Sequence, residues 1–85
     1  MKKAIYYYSL SANQNFPMAL YNLGRIYMSG QFVKQDTKKA IEYYKRAADQ
    51  NDADSLCMLG NIYFSGTFVQ QDINKAIGYL SLAAK

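Results

Sequence analysis

Two stretches of this 85-residue chain are near-copies of one another. Leu20, Leu23-Gly24, Ile26-Tyr27, Ser29-Gly30, Phe32-Val33, Asp36, Lys39-Ala40-Ile41, Tyr43 and Ala47-Ala48 return 36 residues later. The copies are Leu56, Leu59-Gly60, Ile62-Tyr63, Ser65-Gly66, Phe68-Val69, Asp72, Lys75-Ala76-Ile77, Tyr79 and Ala83-Ala84. A fixed period of this size marks a solenoid, in which each unit is one supersecondary element that buries its apolar face only against its neighbours. The offset also runs backwards to Lys3-Ala4-Ile5, Tyr7 and Ala12. The chain therefore divides into a half unit over 1–12 and whole units over 13–48 and 49–84, and it reads as a segment of a longer array.

Composition agrees with one small folded domain. Apolar residues make up 51% and charged residues 19%, too apolar for disorder. One proline and five glycines leave no room for a long linker. The single cysteine, Cys57, and the absence of histidine rule out an intramolecular disulfide or a Cys/His zinc site within the chain. No cofactor or metal is expected, and a reducing, cytoplasmic compartment is the natural setting. The N-terminal stretch fits the repeat and is read as structure rather than as a signal peptide. No apolar run approaches the roughly 18–20 residues that span a bilayer.

Each whole unit reads as a helical hairpin. After the polar turns Asn13-Gln14-Asn15 and Asp49-Gln50-Asn51-Asp52, leucine, glycine and tyrosine recur at helical spacing and predict A helices over 17–29 and 53–65. Pro17 suits a first helical position and Asp52 an N-cap. Gly30 and Gly66 suit left-handed C-terminal turns. Asp36 and Asp72 predict N-caps for B helices over 37–49 and 73–84. The buried stripe of the first B helix is expected at Ala40, Tyr43, Tyr44, Ala47 and Ala48, opposite a solvated face of Lys38, Glu42 and Arg46. The connectors Gln31–Gln35 and Thr67–Gln71 are expected to plug the core with Phe32, Val33, Phe68 and Val69. Mid-helix Gly24 and Gly60 cost helix propensity and so point to close approach of another helix, with Ala40, Ala47, Ala76 and Ala83 as the small surfaces opposite. The expected fold is all-α: five helices in the order B, A, B, A, B, forming an α-solenoid of antiparallel helix hairpins.

The pattern Ala19-x3-Leu23-Gly24-x2-Tyr27-x2-Gly30-x2-Val33-x2-Asp36-x2-Lys39-Ala40-x2-Tyr43-Tyr44-x2-Ala47-Ala48 resembles the Sel-like repeat, a relative of the tetratricopeptide repeat. The second copy departs from it at Ser55 and Leu80. The resemblance covers essentially the whole chain and implies an adaptor that holds proteins together. Secreted members braced by a cysteine pair in each repeat are a poor match, because Cys57 has no companion; it is expected to be a small, semi-buried residue.

In helix-hairpin solenoids the A helices line the concave face. Counting from Leu23, Gly24 and Tyr27, the free face of the first A helix should show Met18, Tyr21, Asn22, Arg25 and Met28. The second should show Asp54, Cys57, Met58, Asn61 and Phe64. Methionine and aromatic groups offer adaptable apolar contact, and Arg25, Asn22 and Asn61 suit a carboxylate or a backbone amide. The expected partner is a protein or peptide. RNA is the alternative, invited by a net charge of +4 and nine tyrosines. Against it, Lys2, Lys3, Lys38, Lys39, Lys45 and Lys75 map to B helices and only Arg25 reaches the A face. No catalytic constellation is present in the sequence, so no enzyme activity is expected. Both ends look uncapped, which predicts self-association.

Overall fold

The computed structural model describes residues 16–30 and 33–84. Over these residues the chain forms four helices and no strand: α1 (Pro17–Ser29), α2 (Thr37–Ala48), α3 (Ala53–Ser65) and α4 (Ile73–Ala83). The contacts run mainly from each helix to its neighbours in sequence, α1 with α2, α2 with α3 and α3 with α4. This is the nearest-neighbour packing of a solenoid. The predicted helix of the half unit, and Phe32, lie outside the described residues.

Capping chemistry sets the helix ends. Asp36 and Asp72 accept hydrogen bonds from the amides of Lys39 and Lys75, each at 3.0 Å. Asp52 accepts from both the amide and the hydroxyl of Ser55, at 3.0 and 2.7 Å. Ser55, which departs from the alanine of the first repeat, is thereby a fully buried polar residue whose hydroxyl is satisfied. Pro17 opens α1 after Phe16, which has no side chain able to cap. Gly30 and Gly66 take left-handed φ values of 67° and 66°, and their amides donate to Ile26 and Ile62 carbonyls. Between the units, Asn51 turns the chain at φ 63°, a conformation asparagine tolerates better than most residues.

The connectors are held mainly by polar contacts, with Val69 also packed against the core. Gln35 and Gln71 donate from Nε2 to the carbonyls of Met28 and Phe64, each at 2.7 Å. The amides of Asp36 and Asp72 donate to the carbonyls of Tyr27 and Tyr63 at 3.0 Å. Both pairs satisfy carbonyls that the last turn of an A helix leaves without intrahelical partners. Val33 and Val69 are half-buried, but Phe68 is exposed, so the expected Phe-Val plug reduces in the second unit to Val69.

The core forms where α1, α2, α3 and α4 meet in succession. Ala40, Ile41, Tyr44 and Ala48 of α2 pack with Leu56, Leu59, Ile62 and Tyr63 of α3 and Ala76 of α4. Leu20 and Leu23 pack against Ala47. The buried stripe of α2 thus includes Ile41 and leaves Tyr43 half-buried, a correction to the expected set. Tyr43 instead stacks on Tyr27 with ring centroids 5.9 Å apart, and the repeat is reproduced by Tyr79 on Tyr63 at 5.9 Å. The glycines are close-approach sites, as expected, and the Ala76 carbonyl lies 3.4 Å from a Cβ built on Gly60, but the nearest groups are larger side chains. A Cβ on Gly24 would lie 2.6 Å from Cε1 of Tyr44, and one on Gly60 would lie 2.5 Å from Cγ of Leu80.

Candidate binding face

The free face of the A helices follows from the same geometry. Arg25 and Asn61 stand one position past Gly24 and Gly60, about 100° round the helix from the faces turned towards α2 and α4, and Phe64, three past Asn61, shares the side of Asn61. Arg25, Asn61 and Phe64 are exposed accordingly, as are Met18 and Asp54 near the helix starts. Phe64 is 59% and Met18 75% exposed, large apolar groups with no place in the core. Cys57 is exposed rather than semi-buried, because it sits beside Gly60 on the open side of α3.

The remaining expected residues are divided between surface and core. Tyr21 is half-buried and packs on the main cluster, its ring centroid 5.8 Å from that of Tyr44. Met28 and Met58 also pack on that cluster, and Asn22 is half-buried. Tyr21, Met28 and Met58 are therefore partly structural. The long side chains bend towards the nearest apolar surface although their Cα positions lie on the open side.

Arg25 holds its guanidinium 5.8 Å from the Tyr21 ring centroid. Beneath this pair lies Tyr44, which spans from α2 across Gly24. Its side chain is fully buried and its hydroxyl has no hydrogen-bond partner among the described residues. Burial pushes the hydroxyl pKa up to about 12, with Tyr21 adding to the rise and Arg25 opposing it. It remains a neutral phenol. Tyr79 is shifted upward as well, chiefly by burial, against the lowering effect of Lys45.

Tyr44 was legible only as a core aromatic. Its bearing on the A face comes from the glycine opposite it. The three positions that surround this point change together between the units: Tyr21, Arg25 and Tyr44 become Cys57, Asn61 and Leu80. The framework around them is repeated.

The lysines of the B helices serve the framework. Lys39 places its ammonium 4.7 Å from the Tyr27 ring centroid and Lys75 lies 5.1 Å from Tyr63, each at one end of a stacked tyrosine pair. Arg46 lies 5.9 Å from the Tyr43 ring. Such cation–π contacts contribute about 0.5–1 kcal/mol at exposed sites.

The residues and helices described above define a tetratricopeptide-like helical repeat, and comparison gives its class. The chain belongs to the Sel1 repeat family, whose model matches residues 1–16, 17–52 and 53–85. A crystal structure of a Sel1 repeat protein from Oxalobacter formigenes is 36% identical and superposes with a TM-score of 0.92, covering 98% of this chain and 34% of that one. The crystal structure of c5321, a protective antigen of uropathogenic Escherichia coli strains with an SLR fold, is 31% identical with a TM-score of 0.89. It covers 94% of this chain and 17% of the antigen. The chain thus spans about a third and about a sixth of these two proteins. No curated protein matches it. Sel1 repeats are helical scaffolds that typically bind proteins. No helix among the described residues is long and apolar enough to cross a membrane.

Proposed function

We propose that the chain is an adaptor that binds a peptide or protein segment on the open face of α1 and α3. The observation that carries this reading is the exposure of Arg25, Cys57, Asn61 and Phe64 on one side of the A helices, at positions where the two repeats differ in residue type. Most residues that build the repeat are the same in both units, Ala19/Ser55 and Tyr44/Leu80 being exceptions; these are not, and their side chains are turned to solvent. An exposed phenylalanine supplies apolar area to a partner, and Arg25 and Asn61 supply hydrogen bonds to carboxylate or amide groups. Exposed, individually variable side chains on a rigid repeated frame are how helical-repeat scaffolds differ in partner while sharing a fold.

The test is a double replacement, Arg25→Ala with Phe64→Ala, in a screen against a displayed random peptide library. Both side chains are exposed, so folding should be unaffected. The wild-type chain is expected to enrich peptides that the double variant does not retain. Equal enrichment by both would place the binding surface elsewhere. Tyr21 is left intact, because its packing on Tyr44 would confound binding with stability.

A further inference from the structure

The Tyr44 hydroxyl is a buried donor that the fold leaves unused. The side chain is fully buried, and its hydroxyl makes no hydrogen bond among the described residues. Buried polar groups are ordinarily paired, and leaving one unpaired costs stability. The repeat shows that the frame does not require it. In the second unit the same position is Leu80, which packs against Gly60 with no hydroxyl to satisfy. A phenol kept at this place points to an acceptor that comes from outside.

The surroundings of the hydroxyl select that acceptor. The Tyr44 ring crosses α1 at Gly24, its Cζ 2.9 Å from where a Cβ of that glycine would stand. The hydroxyl is one bond beyond Cζ, and so lies against the turn of α1 that carries Tyr21 and Arg25. The Tyr21 ring covers the Tyr44 ring at 5.8 Å between centroids, and the exposed Arg25 lies over Tyr21 at 5.8 Å. The Arg25 charge is near enough to be felt at the hydroxyl, where it opposes the upward shift of the pKa. A guanidinium has five N–H donors and no acceptor, so Arg25 cannot satisfy the phenol. A buried phenol beside an exposed guanidinium is a pair of donors that an anion would complete. The single positive charge balances a carboxylate; a phosphate, at about −1.5 to −2, would be left partly unneutralised.

Building on the peptide-binding face proposed above, we infer that the bound segment presents a carboxylate, which Arg25 holds from the solvent side while the Tyr44 hydroxyl donates to it from beneath. The carboxylate reaches the hydroxyl by lifting Arg25 from the Tyr21 ring, an exposed and weak contact. An unmet donor is thereby exchanged for a charge-assisted hydrogen bond. An Asp or Glu side chain and a C-terminal carboxylate offer the same group.

Affinity selection of synthetic random peptide mixtures on the immobilised full chain tests this. One mixture contains Asp and Glu and ends in an amide, a second lacks both and ends in a free carboxylate, and a third has neither. Binders are expected from the first or the second, which separates the two carboxylate sources, and none from the third. For such a binder, Tyr44→Phe should weaken affinity about ten- to a hundredfold, the loss of one hydrogen bond to a charged group, without lowering the melting temperature. Arg25→Gln should weaken it as well. Converting the peptide's carboxylate to an amide should make wild type and Tyr44→Phe bind alike, a coupling that a merely structural Tyr44 would not give. Binders drawn equally from the third mixture overturn the carboxylate and leave the binding face standing. So does an acidic binder that Tyr44→Phe holds within about twofold of wild type. Absence of binders from all three mixtures overturns the face and the carboxylate together.

Discussion

The ring of Tyr44 rests on the backbone of Gly24, so closely that a Cβ there would come within 2.6 Å of Cε1 and 2.8 Å of Cδ1. The ring is fully buried and cannot withdraw. Alanine at position 24 would gain about 1 kcal/mol of helix propensity, but overpacking a closed site costs about 1–3 kcal/mol. Gly24→Ala should therefore lower the melting temperature. At Gly60 the opposing group is the end of Leu80, a flexible side chain 37% exposed. Gly60→Ala should melt within about 1 kcal/mol of wild type, the propensity gain offsetting a side chain that can swing aside. Combining Gly24→Ala with Tyr44→Leu should lessen the first penalty. Equal losses at the two glycines would contradict this account of the packing.

The Tyr44 hydroxyl supplies a second prediction. A buried hydroxyl without a partner costs about 1–3 kcal/mol, so Tyr44→Phe should be neutral or stabilising at neutral pH. Truncation to alanine should instead cost about 3–5 kcal/mol through the cavity it leaves. The pH dependence has a definite sign. The folded pKa of about 12 lies above the ordinary value of 10.0, so the folded chain keeps a proton that the unfolded chain gives up. The stability this contributes is intact below pH 10 and is lost as the pH rises towards 12. Denaturation at about pH 9 and about pH 11.5 should show a smaller decline for Tyr44→Phe than for wild type. The same decline in both would remove Tyr44 as its source.

The frame was readable because its determinants are local. Gly30 and Gly66 end the A helices, and Asp36, Asp52 and Asp72 begin the helices that follow them, through backbone chemistry that depends on one residue and its neighbours. α1 and α3 match their expected spans, and α2 and α4 each end one residue earlier than expected. What opposes a mid-helix glycine is not local. It depends on how two helices cross, which is why Tyr44 and Leu80 come nearest, with only Ala76 of the expected alanines beside Gly60. The same limit applies to the exposed face of the A helices. Helical spacing gives the direction of a Cα–Cβ bond, and it found Arg25, Asn61 and Phe64. It does not give the reach of a long side chain, so Tyr21 and Met28 curl back onto the core. Hydrophobicity likewise does not fix a loop residue's direction, as Phe68 shows. Gln35 and Gln71 went unassigned, although their identity at the 36-residue offset was the available signal.

The aspartate caps should rank by the bonds they make. Asp36→Ala and Asp72→Ala each remove one bond to a helix N-terminus and should cost about 1 kcal/mol. Asp52→Ala also strips the buried Ser55 hydroxyl of its acceptor, and should cost more, about 2 kcal/mol or above. Chemical denaturation of the three variants measures the order. A wild-type midpoint for Asp52→Ala would show that neither bond stabilises the chain.

The proposal that the A face binds a peptide or protein segment is tested most directly by mapping where a bound peptide touches the chain. Amide chemical shifts of the wild-type chain would be followed while a peptide selected from the displayed library is added. The account predicts shifts clustered at Arg25, Cys57, Asn61 and Phe64 and little change at Lys38, Glu42 and Asn74. Shifts concentrated on the outer faces of α2 or α4, with Arg25 and Phe64 silent, would contradict it.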